Sequence, residues 1–180
     1  VSYSFKTNFH VGYILREKTD CMFSIHSRKS LELLGCPERI IYFAQGWDKE
    51  EAEEVYNAGV KDFVIDNIKD LQVLLDIDKP VRLMLRMRLK EHTIHTGKHF
   101  VFGFYSKEVL QLIPKLHENK NIEELGIHVH RKTQNISEWS LKPELEAILS
   151  PYLHMIDKIN IGGGIPSTYK NFRAEVLDKI

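Results

Sequence analysis

Ile40-Ile41-Tyr42-Phe43-Ala44, Asp48-Lys49-Glu50-Glu51 running to Ala58-Gly59, and then Asp62-Phe63-Val64-Ile65-Asp66-Asn67 form the stretch that decides the fold. Two short β-branched and aromatic runs flank a segment of helical period, which is the pattern of a strand, a helix and a second strand. Asp48 and the acids behind it open the helix and complement its dipole. Gly59 closes it as a C-cap, and Asp66-Asn67 opens the next helix. A strand–helix–strand unit of this length predicts parallel strands with helices outside them.

The same alternation extends in both directions. Strands are expected at Val1–Lys6, Cys21–Ile25, Ile40–Ala44, Asp62–Ile65, Val81–Arg88, Leu125–His130 and Lys158–Ile161. Helices are expected at Val11–Glu17, Ser27–Leu34, Lys49–Ala58, Ile68–Leu75, Ser106–Glu118 and Lys142–Leu153. Two α/β arrangements fit, an open doubly wound sheet and a (β/α)8 TIM-like barrel; the strand count is one short of the eight that barrel closure requires. The chain starts at Val1 within an apolar alternation and stops at Ile180 within a helical pattern, so a fragment of a longer protein is expected.

Composition narrows the function. Lys plus Arg and Asp plus Glu are 25 each, so no net field recruits nucleic acid or an acidic membrane. Cys21 and Cys36 are the only cysteines, which excludes a disulfide framework. No apolar run nears the ~18 residues of a membrane span, and a cytoplasmic setting is expected.

Chemistry-bearing residues gather at expected strand ends. Gly162-Gly163-Gly164 follows Lys158-Ile159-Asn160-Ile161; such a loop is either a flexible turn or a nest of amides suited to a phosphate. Lys6 ends the first strand between aromatic residues, so it is expected to be partly buried and a candidate amine nucleophile, with a solvated lysine as the ordinary alternative. His128 and His130 lie two apart on one expected strand and so share a side. Metal ligation, an imidazole flat on a cofactor ring, and a hydrogen-bonded core histidine all remain open for them. Arg86 and Arg88 alternate on another strand and need anionic or hydrogen-bonding partners. His92, His95 and His99 sit in an acid-poor loop, where no metal site is expected.

Taken in order, these segments resemble the pyridoxal-phosphate-dependent ornithine/diaminopimelate/arginine decarboxylases, the alanine-racemase-like barrel group. Ser4-Phe5-Lys6-Thr7-Asn8 resembles the strand that carries the cofactor lysine. Phe63-Val64-Ile65-Asp66-Asn67 and Leu85-Arg86-Met87 are similar to the fourth and fifth strands. His95-Thr96-Gly97 with Phe102-Gly103 resembles a glycine-bearing loop, and Gly126-Ile127-His128-Val129 the segment whose histidine stacks on the pyridoxal ring. Ile159-Asn160-Ile161-Gly162-Gly163-Gly164-Ile165-Pro166 is similar to the phosphate-binding motif.

The resemblance implies an alanine-racemase-type (β/α)8 barrel with about seven of its eight strands, a pyridoxal 5'-phosphate-binding domain over residues 1–180. Lys6 would hold the cofactor through its ε-amine, His128 would stack on the ring, and Arg86 would help to position that face. Gly162, Gly163 and Gly164 would take the phosphate. Arg131 stands where a phosphate-contacting serine is common and could bind the phosphate itself. Ser24 replaces an aspartate of the second strand, and Val101 replaces a lysine. The implied activity is decarboxylation of a basic or polyamine-related amino acid, by a homodimer when the C-terminal β-domain is present. A racemase, a non-catalytic cofactor-binding homologue and a metal-dependent hydrolase barrel using His128 and His130 are the rival readings.

Overall fold

The computed structural model describes residues 1–89, 102–131 and 139–165. The expectations for His92, His95, Thr96, Gly97, His99, Val101 and Pro166 lie outside them. The chain divides into two compact units, the first made of Val1–Met84 with Asn119–Glu124.

In the first unit, strands β1 (Ser2–Ser4), β2 (Met22–Ile25), β3 (Ile40–Phe43) and β4 (Asp62–Ile65) pair in parallel. Helices α1 (Phe9–Lys18), α2 (Arg28–Leu34), α3 (Lys49–Asn57) and α4 (Ile68–Asp76) make the returns. Each helix starts on a side-chain cap. Asn8, Ser27, Asp48 and Asn67 accept the amides of Val11, Ser30, Glu51 and Asp70, which satisfies donors that a helix start leaves open.

Strands β3 and β4 are buried throughout, as parallel strands between two apolar layers must be. One side holds Ile41, Phe43, Val64 and Met84, with Met22 packed against them. The residues between these, Ile40, Tyr42, Phe63 and Ile65, are buried as well. Tyr42 stacks on Trp47 at 5.8 Å and donates its hydroxyl to Glu51 at 2.8 Å. Arg39 gathers three carbonyls: its Nε and Nη2 reach Cys21 O at 3.0 and 2.7 Å, Nη1 reaches Arg16 O at 2.9 Å, and Nη2 reaches Thr19 O at 2.7 Å. Its guanidinium also lies over the Phe23 ring at 5.1 Å.

The second unit runs Leu85–Glu118 and from Leu125 onward. It contains the end of β5 (Val81–Arg86), α5 (Ser106–His117), most of β6 (Ile122–His128), α6 (Leu141–Leu149) and β7 (Lys158–Asn160). Strands β6 and β7 are parallel, with His128 opposite Asn160. The Met87 amide donates to His128 O at 2.8 Å and ties the end of β5 to β6.

The strands are hydrogen-bonded in chain order, β1 to β7. A doubly wound sheet would reverse that order at a switch point; consecutive order is the connectivity of the (β/α)8 barrel. Seven of its strands lie among the described residues.

Among the boundaries that differ from expectation, β5 ends at Arg86, so Arg88 lies just past the strand on which both were expected. The last helix stops at Leu149 and continues as a tighter 3-10 segment, Ser150–Met155, because Pro151 cannot donate to a preceding carbonyl. Strand β6 starts three residues early and ends at His128, so His130 has left the strand. Strand β1 ends at Ser4, and Phe5–Thr7 forms a single 3-10 turn that carries Lys6.

Candidate cofactor site

Phe5 dictates that turn. Its ring is fully buried, lying 4.9 Å from Phe9 and 5.7 Å from Tyr13. Gly12 on α1 leaves the space: a Cβ there would stand 2.4 Å from Phe5 Cδ2. With Phe5 driven inward and the backbone turning, the next side chain points away, and Lys6 is exposed rather than partly buried. Nearby in the same unit, the Ser24 and Ser2 hydroxyls share a 2.8 Å hydrogen bond. His26, just past β2, lies 4.9 Å from the Phe43 ring.

The second unit collects the remaining candidates at the C-terminal ends of β5, β6 and β7. His128, the last residue of β6, is buried. Its chain neighbour Val129 donates its amide to Asn160 O at 2.8 Å, which draws the end of β7 against β6. The glycine loop then folds onto the chain that follows His128. Gly162 is left-handed at φ 72°, and a Cβ there would be 2.6 Å from Val129 O and 2.8 Å from His130 Nδ1. No other residue type fits that approach. Gly164 is left-handed as well, at φ 78°, whereas a Cβ on Gly163 would meet nothing within 4 Å. The loop is therefore fastened at its first residue and open at its second.

Two side chains hold the loop amides. Asn160 Oδ1 accepts from Gly162 at 2.9 Å, an Asx-turn two residues long. His130 Nδ1 accepts from Gly163 at 3.3 Å. Arg131, only 2% exposed, donates from Nη2 to Glu144 Oε2 on α6. Its carbonyl faces Gly164, 3.5 Å from where a Cβ would be.

Arg86 ends β5, with its guanidinium 5.6 Å from the Phe102 ring. Its carbonyl accepts the Phe104 amide at 2.8 Å. Gly103 makes this approach possible, because a Cβ there would stand 2.5 Å from Arg86 O. Among the described residues, no group of three or more His, Cys, Asp or Glu side chains could hold a metal ion.

Lys6 thus stands at the C-terminal end of its strand in the first unit. Arg86, His128, Arg131 and the three glycines occupy neighbouring strand ends in the second. Sequence reasoning gave no role of their own to Asn160 and Glu144, and it noted Gly103 only within the resembling glycine-bearing loop. Only Asn160 carried a local signal, its two-residue spacing from Gly162.

The comparisons with known proteins agree with this arrangement. The family model described as pyridoxal-dependent decarboxylase, pyridoxal binding domain, matches residues 3–178. The chain belongs to this family. Among relatives of the pyridoxal binding domain, the diaminopimelate decarboxylase of Aquifex aeolicus (strain VF5) is 27% identical over 150 residues, covering 74% of this chain and 36% of the relative. Diaminopimelate decarboxylase from Helicobacter pylori, solved with L-lysine, superposes with a TM-score of 0.76 at 19% identity, over 99% of this chain and 51% of that one. Lysine/ornithine decarboxylase from Vibrio vulnificus, solved with cadaverine, gives a TM-score of 0.69 at 21% identity, over 97% and 49% of the two chains. The pyridoxal binding domain described here therefore spans about a third of its curated relatives' length and about half that of the solved ones.

These likenesses establish the alanine-racemase-type (β/α)8 class expected from the sequence resemblance. Pyridoxal phosphate is the cofactor of the family. The loop's chemistry suits its phosphate: Gly163 is open, Gly162 and Gly164 are left-handed, and the Asn160 amide oxygen and the His130 imidazole hold the loop's N–H groups. No helix among the described residues is long and apolar enough to cross a membrane.

Proposed function

We propose that the protein is a pyridoxal-phosphate-dependent decarboxylase of a basic or polyamine-related amino acid, of the ornithine, diaminopimelate, arginine, lysine or carboxynorspermidine type. The observation that carries this reading is the glycine loop folded against the chain just past His128, with Gly162 fixed by its contact with Val129 O. In it the Lys6 ε-amine holds the cofactor, the His128 imidazole lies against the ring, and Arg86 orients that face. Gly162, Gly163 and Gly164 carry the phosphate on their backbone. Arg131 binds the phosphate as well, its Nη2 being held by Glu144. When bound, the cofactor accepts the electron pair left as the α-carboxylate departs as carbon dioxide. The protein's own tasks are to orient the substrate and to return a proton to the same carbon. A homodimer in the cytoplasm completes the reading.

The test is carbon dioxide release from lysine, ornithine, arginine and diaminopimelate by purified protein with pyridoxal phosphate, compared with Lys6→Ala. Release that depends on Lys6 supports the proposal; release that survives Lys6→Ala sinks it. Stereochemical inversion without release would favour a racemase instead. The metal-dependent hydrolase alternative gives way to the family match, and His130 has in any case left the strand it would have shared with His128.

A further inference from the structure

His130 is bound into the phosphate loop by an unusual bond. Its Nδ1 accepts the Gly163 amide at 3.3 Å, an arrangement that calls for the imidazole proton on Nε2. The distance is long for a hydrogen bond and the acceptor is uncharged, so the bond is weak. A phosphate dianion at the same amide would make a charge-assisted bond roughly twice as strong. Gly163 is also the loop position with open space in front of it.

Charged groups of both signs stand on the elements around His130. Arg86 and Arg88 lie on and just after β5, and Lys158 on β7. Arg131 is adjacent, with its charge met by Glu144 on α6. Asp157, at the N-terminal end of β7, accepts the Leu125 amide at 2.8 Å, and Glu123 and Glu124 belong to the N-terminal end of β6. Lys158 opens β7 beside Asp157, whereas Arg86, Arg88 and Arg131 lie toward the C-terminal strand ends, and a dianion held at the Gly163 amide would favour a positive charge on the adjoining imidazole.

We propose that His130 is a proton-coupled phosphate ligand: phosphate takes the Gly163 amide, and the displaced imidazole gains a solvent proton at Nδ1 and donates it in a hydrogen bond to a phosphate oxygen. One N–H···N bond breaks, an N–H···O bond and an N–H⁺···O⁻ bond form, and one proton is taken from solvent. The inference rests on the reading that the glycine loop holds the cofactor's phosphate. Histidine and a phosphate monoester titrate near pH 6.5 and 6, so at pH 7.5 the free imidazole is neutral and the ester a dianion.

Pyridoxine 5'-phosphate tests this, since it keeps the phosphate but cannot condense with an amine, and pyridoxine serves as its phosphate-free control. Calorimetric titration at pH 7.5 in buffers of different ionisation enthalpy counts the protons taken up. Wild-type protein is expected to take up between about half and one proton with the phosphate ester and none with pyridoxine. His130→Asn keeps an acceptor for Gly163 but cannot titrate. It should abolish the uptake and weaken the ester about tenfold, leaving pyridoxine unchanged. Ester binding without proton uptake in wild type, or with the same uptake in His130→Asn, overturns the role of His130 while leaving the loop as the phosphate site. Equal binding of ester and pyridoxine by wild type overturns the phosphate-loop reading itself, and this inference with it. The wild-type series is decisive even if the variant folds poorly.

Discussion

Gly12 and Phe5 occupy one space: a Cβ on Gly12 would stand 2.4 Å from Phe5 Cδ2. The missing side chain on α1 is what lets the Phe5 ring go inward, and the inward ring is what sends Lys6 outward. Gly12→Ala gains about 1 kcal/mol of helix propensity and loses about 1–3 kcal/mol to overpacking. A net loss of stability is expected by thermal melting. The same variant should cut borohydride-trapped pyridoxal phosphate on the Lys6 peptide, because the turn that presents the amine is displaced.

The glycine loop separates two kinds of glycine. Gly162→Ala places a Cβ 2.6 Å from a backbone carbonyl at a positive φ, and neither can yield cheaply. A loss of about 1–3 kcal/mol is expected, together with weakened affinity for phosphate-bearing ligands. Gly163→Ala meets nothing within 4 Å, and its stability should stay within about 0.5 kcal/mol of wild type. Denaturant midpoints of the two variants check the contrast.

Arg131 and Glu144 form a pair whose halves depend on each other. Removing Glu144 takes away the carboxylate to which a guanidinium buried to 2% exposure donates. Glu144→Leu or Arg131→Met should each cost about 3–5 kcal/mol, and the combined Arg131→Met/Glu144→Leu change much less than their sum. A double-mutant cycle by urea unfolding measures it. If Arg131 also meets phosphate directly, Arg131→Ala will lower cofactor affinity beyond what Glu144→Gln does.

Tyr42 gives the fold an alkaline edge. Burial, reinforced by the hydrogen bond to Glu51, pushes its phenol well above the ordinary value of 10.0. The folded-state value is the higher one, so the stabilisation is fully present below about pH 10 and is lost as pH rises from there toward the folded value. Tyr42→Phe should lose about 1 kcal/mol at neutral pH and then decline less steeply above pH 10 than wild type. Melting curves across that interval, with tyrosinate absorbance as a second readout, decide it.

Much of this was readable in the residues. Asp48, Asn67 and Gly59 marked their helix boundaries because capping is a local event, decided within four residues. Gly162 and Gly164 were legible for a similar reason: few residue types tolerate a positive φ. What escaped was set by contacts distant in sequence. Phe5 was read as one more strand residue, since its burial depends on a glycine seven positions later. The Arg131–Glu144 pair spans a stretch between a strand end and a helix, and no periodicity announces it. The choice between a doubly wound sheet and a barrel likewise needed the strand order itself, because both share one pattern of strands and helices.

Arg39 carries a last consequence. A guanidinium that collects the carbonyls of Arg16, Thr19 and Cys21 makes the passage from the first helix to the second strand unable to breathe by itself. Deuterium should enter those amides only when the wider sheet opens, so a surface connection that looks like an easy place for an insertion will behave instead as part of the slowest-exchanging interior.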